Sequence, residues 1–295
     1  MTAMKIQDLN CKIRFAMSRL PYLPVRYRLT DESTTPTVIR WSKVLPFFDR
    51  QKGLFNFDLW GWDVRELRFL NKFLKPGMVF LDVGAYHGIY SVLAGRKVTS
   101  SGQVYAFEPT PSHSRRIQHH LRLNQINNVK VETLALSNSD GHTEFYIPVN
   151  GVMSVGSIKP SLSSRGKLKP TTVETIRLDN YVKQQALSRI DLIKVDVEGA
   201  ELLFLDGATQ TINDFHPLLV VEALDSACEP WGYCAKDLLL RIQQKFDYTF
   251  YGFSEQGYLH PHSIREIYPH DSNCNLLAVP RSATHRIAHL LTKQS

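Results

Sequence analysis

Apolar positions along this chain recur in two alternating rhythms. MVFLDV (78–83), GQVYAFE (102–108), VKVETLAL (129–136), IDLIKVDV (190–197) and HPLLVVEA (216–223) are short runs rich in β-branched and aromatic residues, the pattern of strands buried on both faces. Helical spacing fills the intervals. WDVRELRFLNKFL (62–74) precedes the first run and stops before Lys75-Pro76-Gly77, and a second helix follows Gly88. TPSHSRRIQHHLRLNQ starts with Thr110 as N-cap and Pro111 in the first helical position, turning Ile117 and Leu121 inward. GAELLFLDGATQTI (199–212) reads as one helix and residues 235–246 as another, after which YTFYGFS and CNLLAVP close the series as strands. Strands alternating with helices of this length predict βαβ units and an α/β fold, a doubly wound, mostly parallel sheet.

This domain spans 62–281. Residues 1–61 read as a helical and irregular extension, and SATHRIAHLLTKQ within 282–295 as a C-terminal amphipathic helix. In 4–20, Ile6, Leu9, Ile13, Met17 and Leu20 recur at helical spacing opposite Lys5, Lys12, Arg14 and Arg19. Such a helix either docks on the domain or makes peripheral contact with a membrane surface. Residues 21–60, rich in proline and aromatics, read as an irregular connector. An insertion over about 140–178 interrupts the alternation: GHTEFYIP (141–148) and TVETIRL (172–178) form an extra strand pair, with Asp179 opening a helix. Between Glu144 and Glu174 there is no acid, while Lys159, Arg165, Lys167 and Lys169 sit among Ser, Gly and Pro. A loop of this kind is a substrate lid or a solvated insertion.

Composition narrows the classes. At 43% hydrophobic and 21% charged the chain is an ordinary soluble one, and no apolar run approaches the ~20 residues that span a bilayer. The first twenty residues hold no unbroken apolar core, so no secretory leader is expected. Cys11, Cys228, Cys234 and Cys274 show no CxxC pairing, which argues for reduced thiols and a cytoplasmic protein. The formal charge of +7 is compatible with anionic partners. His113, Arg115, Arg116, His119, His120 and Arg122 read as a solvated helix face. A nucleic-acid patch would interleave aromatics, and this helix has none.

FLDVGAYHGIYS (80–91) places Gly84 and Gly88 between the first buried strand and a helix, where an α/β sheet binds nucleotide-like ligands. Asp82 at the strand end suits an ammonium group. Glu108, ending the next strand, suits a ribose diol, and Ala135-Leu136 after the third would flank an adenine ring. A dinucleotide needs G-x-G-x-x-G, and a carboxylate beside its pyrophosphate would repel it. The ligand these residues favour is S-adenosyl-L-methionine.

FLDVGAYHGIYS, VYAFEP, NQINNVKVETLALSN and above all IDLIKVDVEGAELLFLDGA resemble the FkbM family of S-adenosylmethionine-dependent methyltransferases over residues 76–280. The resemblance implies a class I, Rossmann-like methyltransferase fold with a seven-stranded sheet. It also implies O-methylation of a hydroxyl on a sugar, glycan or secondary metabolite. Carried over residue by residue, the donor site takes Asp82, Gly84, Gly88 and Glu108, and the D-x-E-G segment falls on Asp196, Glu198 and Gly199. Where the family usually has Asn in the glycine turn this chain has Tyr86, so either the turn differs locally or the Tyr86 ring lies against the donor.

In LIKVDVEG, residues two apart share one strand face, which puts Lys194, Asp196 and Glu198 together at the carboxyl end. The resemblance sets that strand beside the glycine-turn strand, where strand order reverses. A carboxylate touching the sulfonium would favour the ground state, so Asp196 is expected on the acceptor side as the base, with Lys194 or Glu198 orienting it. The plainer alternative is a Lys194 ion pair with Glu198 capping the next helix. Glu201 reads as a helix-face residue and His87 as a local hydrogen-bonding partner. Glu222 adds a carboxylate at the same rim, where two or three oxygens could hold Mg²⁺, although no metal site is assigned. The other functions compatible with the sequence are RNA ribose 2'-O-methylation, which salt-dependent RNA binding would favour, and a donor-binding scaffold without turnover.

Overall fold

The computed structural model describes residues 26–31, 34–40, 64–148, 156–159, 168–269 and 275–292, so the amphipathic segment 4–20 lies outside the described residues. Within 21–60, read as irregular, β1 (Arg26–Asp31) and β2 (Thr34–Arg40) pair as an antiparallel two-stranded ladder. The main domain continues with α1 (Val64–Phe73), β3 (Val79–Val83), α2 (Ile89–Val98), β4 (Gln103–Phe107), α3 (Pro111–Asn124) and β5 (Val129–Glu132). Next come β6 (Ala135–Leu136), β7 (Gly141–Pro148), β8 (Leu168–Ile176), α4 (Leu178–Gln184), β9 (Leu192–Val195), α5 (Glu201–Gly207), α6 (Thr209–Phe215) and β10 (Leu218–Glu222). The chain closes with α7 (Asp225–Cys228), α8 (Ala235–Phe246), β11 (Tyr248–Phe253), β12 (Leu259–His262), β13 (Asn275–Pro280) and a C-terminal helix of 3₁₀ type (Arg281–Leu290).

The central sheet has eight strands in the order β12-β11-β13-β10-β9-β3-β4-β5. From β10 to β5 all neighbours are parallel, while β13, β11 and β12 pair antiparallel at the far edge. The doubly wound architecture is therefore present, with one strand more than the expected seven. That strand, β12, reads LHPH, and only Leu259 is buried. A proline at the outermost edge removes a ladder donor that no neighbour needs, so the strand forms without an apolar signature.

Both sheet faces are covered. Phe80, Leu192 and Val220 pack against Leu67 and Leu70 of α1, Leu93 of α2 and Ile117 of α3. The alternate positions Leu81, Ile193 and Val221 pack against Tyr181 of α4, Phe204 of α5, Ile212 of α6 and Leu238 of α8. Each such fully buried side chain contributes roughly 1.5–3 kcal/mol, which is why these strands read as unbroken apolar runs.

Two expected elements are split. VKVETLAL divides into β5, on the central sheet, and β6, which joins β7 and β8 in a separate three-stranded sheet ordered β6-β8-β7. The expected helix over 199–212 is the pair α5 and α6, joined at Ala208. The insertion's strand pair is the β7–β8 hairpin, longer than expected because β8 begins at Leu168.

Candidate active site

Strand order reverses between β3 and β9, so the turns leaving their carboxyl ends form the two lips of one crevice. The β3 lip is the glycine turn. Gly84, Tyr86 and Gly88 have φ of 79°, 48° and 76°, so the left-handed backbone persists at Tyr86. The Gly84 and Ala85 N–H groups both donate to the Phe107 carbonyl at 3.0 Å, wrapping the turn over the end of β4. The β9 lip is Asp196-Val197-Glu198-Gly199. Asp196 N–H donates to the Val83 carbonyl at 3.1 Å, and a Cβ on Gly84 would stand 1.8 Å from the Asp196 carbonyl oxygen. Only glycine permits the lips to touch this closely.

Asp82 is fully buried at the base of the first lip. Its Oδ2 accepts the Ser91 hydroxyl at 2.5 Å, while Oδ1 is shielded from solvent and has no hydrogen-bond partner. Burial raises its pKa, opposed by the Lys194 ammonium. Lys194 stands opposite Asp82 in the β3–β9 register, is 4% exposed, and donates to Asp196 Oδ2 at 2.8 Å. One buried lysine thus acts on a carboxylate from each lip.

Glu108 ties the first lip to the next helix. Its Oε2 accepts the Tyr86 N–H at 2.9 Å, and its Oε1 accepts the Thr110 N–H at 2.8 Å with His113 Nδ1 3.5 Å away. Thr110 occupies the N-cap position of α3, ahead of Pro111, although its hydroxyl makes no cap bond. The Tyr86 ring centroid lies 3.7 Å from that of His87 and 4.9 Å from that of His113. Arg116 donates to His87 Nδ1 at 2.8 Å, and His120 Nδ1 lies 2.8 Å from the His87 carbonyl. The α3 face expected in solvent is therefore partly inside: His113 and His120 are buried and brace the glycine turn. Burial first, then Arg116, lowers the His87 pKa well below its usual value, so the ring is a neutral acceptor for Arg116. Ala135 packs with Phe145 and Val173 of the small sheet, and Leu136 joins the core under β3 and β9. Both are buried by these contacts rather than presented as an open wall.

The second lip is held from several sides. Glu198 has φ 56°, a left-handed conformation that costs a side-chain-bearing residue roughly 1–2 kcal/mol. Its carbonyl accepts the Trp231 Nε1–H and the Ser157 hydroxyl, each at 3.3 Å. Val197 and Gly199 N–H groups donate to Glu201 Oε1 at 3.1 and 3.4 Å, and the Tyr233 hydroxyl donates to the Gly199 carbonyl at 2.6 Å. Glu201 is thus no helix-face residue: it is 1% exposed and organises the turn from inside. Sequence patterns missed Trp231, Tyr233 and Ser157, whose partners lie more than thirty residues away along the chain.

Glu198, Glu201 and Glu222 crowd this lip with Asp196. Burial, then Asp196 and Glu201, pushes Glu198 up to about 8, and burial pushes Glu201 up to about 7. Glu222, whose Oε2 is shielded without a partner, is raised well above its usual value by burial and then by Asp196. Among the described residues no group of three or more His, Cys, Asp or Glu is arranged to hold a metal ion.

These shifts fix a sign for stability against pH. The folded chain keeps protons that the unfolded chain releases near 4.5, so the cluster's contribution is full below that value and is lost as pH rises through about 7 to 8. His87 and His120 act oppositely, but only below their unfolded value of 6.5. Calorimetric Tm should therefore fall between about pH 6.5 and 8, by on the order of a few degrees. Glu201→Gln, which retains an acceptor for both turn amides, should flatten the fall, and an unchanged slope in that variant would refute the assignment.

Cys228 is buried, Cys234 partly so, and neither forms a disulfide. Among the described residues no helix is long and apolar enough to cross a membrane.

Comparison with known proteins finds methyltransferases. The chain is 28% identical over 151 residues to the 2-O-methyltransferase NoeI of Sinorhizobium fredii, covering 47% of this chain and 60% of that protein. It is 27% identical over 169 residues to the hexuronic acid methyltransferase AglP of Haloferax volcanii, covering 54% of this chain and 64% of that one. This chain therefore spans less than two thirds of either relative's length. A crystal structure of the methyltransferase FkbM from Methylobacillus flagellatus covers 76% of this chain and 52% of its own, at 16% identity and a TM-score of 0.44. The Methyltransferase FkbM domain matches residues 82–258, from the buried Asp82 through both lips to β11 and beyond. That match takes in more than half of the sequence, and the chain belongs to the FkbM methyltransferase family.

Proposed function

We propose that the chain is an S-adenosylmethionine-dependent O-methyltransferase acting on a hydroxyl of a sugar, glycan or secondary metabolite. The observation that carries this is the shared lysine: Lys194 pairs with Asp196 on one lip and faces Asp82 on the other, so donor-side and acceptor-side carboxylates line one crevice. Two relatives named for 2-O and hexuronic acid methylation support a sugar acceptor.

The residues fit the donor. Asp82 Oδ1 is a shielded acceptor without a partner, placed for an ammonium group. The left-handed backbone at Gly84, Tyr86 and Gly88 presents the turn to the rest of the molecule, and Glu108 holds that turn in shape at its Tyr86 amide while suiting the ribose diol. When bound, S-adenosylmethionine would supply an electrophilic methyl group.

Proton acceptance falls to Glu198. Asp196 Oδ2 is engaged by the Lys194 ammonium, so its place is to orient the acceptor hydroxyl. Glu198 stands two residues on, and a carboxylate whose pKa is about 8 draws a proton from an alcohol far better than one near 4. Lys194 holds the Asp196 side chain in place through their ion pair. The left-handed Glu198 backbone is held at its carbonyl by Trp231 and Ser157, which fixes the point from which the side chain leaves the turn.

Calorimetry with S-adenosylmethionine should give heat for the full chain and binding roughly ten- to hundredfold weaker for Asp82→Asn, the loss of one charge-assisted hydrogen bond. Radiolabelled methyl transfer to glycan, uronic acid, lipid and RNA fractions then identifies the acceptor. Absence of donor heat together with absence of label in every fraction would end the proposal.

A further inference from the structure

Beyond the acidic lip, the carboxyl rim of the sheet opens into a second cleft. Its floor is Ala223, Asn275 and Phe253, and its walls carry Arg65, His260, His262 and Arg265. Asn275 stands opposite Glu222 in the β10–β13 register and Ala223 follows Glu222, so the cleft starts one residue from the acid cluster.

The far wall is preformed. Tyr268 N–H donates to Asp225 Oδ2 at 2.7 Å and its carbonyl accepts the Asp225 N–H at 3.0 Å, which pins residues 264–269 to the start of α7. The Tyr268 hydroxyl accepts the Arg265 N–H at 2.9 Å and lies 3.0 Å from His262 Nε2. The His260 ring lies over Gly252, where a Cβ would come within 2.3 Å of its Cε1, so a glycine there makes room for the imidazole.

The charged groups of the cleft are Arg65, Arg265 and the buried Glu66, beside the His260 and His262 rings. Arg65 pairs with Glu255, and Glu266 turns to Lys236 at 2.8 Å. Arg265 is exposed and has no ion-pair partner among the described residues. Ile267, 69% exposed, adds an apolar lip beside these donors. An exposed guanidinium, two imidazoles and an exposed aliphatic face suit a polyhydroxylated ligand that carries an anion.

We propose that this cleft is the outer subsite of the methyl acceptor and that Arg265, His260 and His262 bind an anionic group, carboxylate or phosphate, on that polyhydroxylated ligand. It rests on the methyl-transfer assignment only in calling the ligand the acceptor. The binding itself requires no donor.

The test is nuclear magnetic resonance of the histidine ring protons in the full chain, at fixed pH, titrated separately with D-glucuronate, D-glucose 6-phosphate and D-glucose. Saturable movement of the His260 and His262 signals by glucuronate alone assigns a carboxylate, and by the phosphate alone a phosphate. Arg265→Glu, an exposed substitution that leaves the core intact, should weaken the response about tenfold or more. No movement with either anionic sugar, equal movement with glucose, or an undiminished response in Arg265→Glu would overturn the proposal. Loss of the donor assignment would show elsewhere, as absent heat with S-adenosylmethionine in a protein whose histidines still respond.

Discussion

Replacing Glu198 by Gln should lower turnover by about 10²–10⁴-fold, the usual contribution of a positioned base, while donor affinity stays near the wild-type value. The wild-type rate should climb with pH towards about 8 as Glu198 ionises, and the variant should lose that limb. Stability should move the other way. Above pH 8 the wild-type chain carries a half-buried carboxylate beside Asp196 and Glu201, and the amide does not, so the variant's Tm should exceed the wild type's there. Glu198→Gly separates backbone from charge, because glycine relieves the left-handed conformation at φ 56° as well as removing the acid. It should be more stable still and equally inactive. Activity within tenfold of wild type in Glu198→Gln would remove this residue from proton transfer and return the role to Asp196.

The elements that sequence exposes here are those whose signal is local. β3, β9 and β10 are apolar on both faces because helices cover both faces, so each reads as a continuous run. The glycine turn is legible because a left-handed backbone favours glycine at Gly84 and Gly88. β12 escaped because LHPH is three-quarters polar or proline at an edge that nothing covers. VKVETLAL looked like one strand because its hydrophobicity continues across the point where the chain leaves one sheet for the other. Buried polar residues were the hardest to place. Helical periodicity sorts residues on one element and says nothing of what packs on it, so His120 and Glu201 read as exposed until α3 met the glycine turn and the second lip closed on α5. Asp196, Glu198 and Lys194 were visible as a cluster. The Lys194–Asp196 ion pair was legible as an alternative, but the hydrogen bonds of Trp231 and Tyr233 to the turn come from more than thirty residues away, and no local pattern could announce them.

Gly84→Ala should cost far more than Gly232→Ala, the control with the same backbone sign that shows why. Both positions have nearly the same φ, 79° and 82°. A Cβ on Gly232 meets nothing within 4 Å, so its replacement carries only the left-handed penalty of roughly 1–2 kcal/mol. A Cβ on Gly84 would come within 1.8 Å of the Asp196 carbonyl oxygen and 3.0 Å of its carbon, both backbone atoms that no rotamer change can move. Overpacking adds about 1–3 kcal/mol. Relief requires the lips to part, and the hydrogen bond from Asp196 N–H to the Val83 carbonyl would break first. Chemical denaturation should thus rank Gly84→Ala well below Gly232→Ala, and calorimetry should find donor binding abolished in the first and intact in the second. Equal stability of the two variants would mean that the glycine turn and the Asp196 lip do not close on one another, and the single crevice from which methyl transfer was derived would not exist.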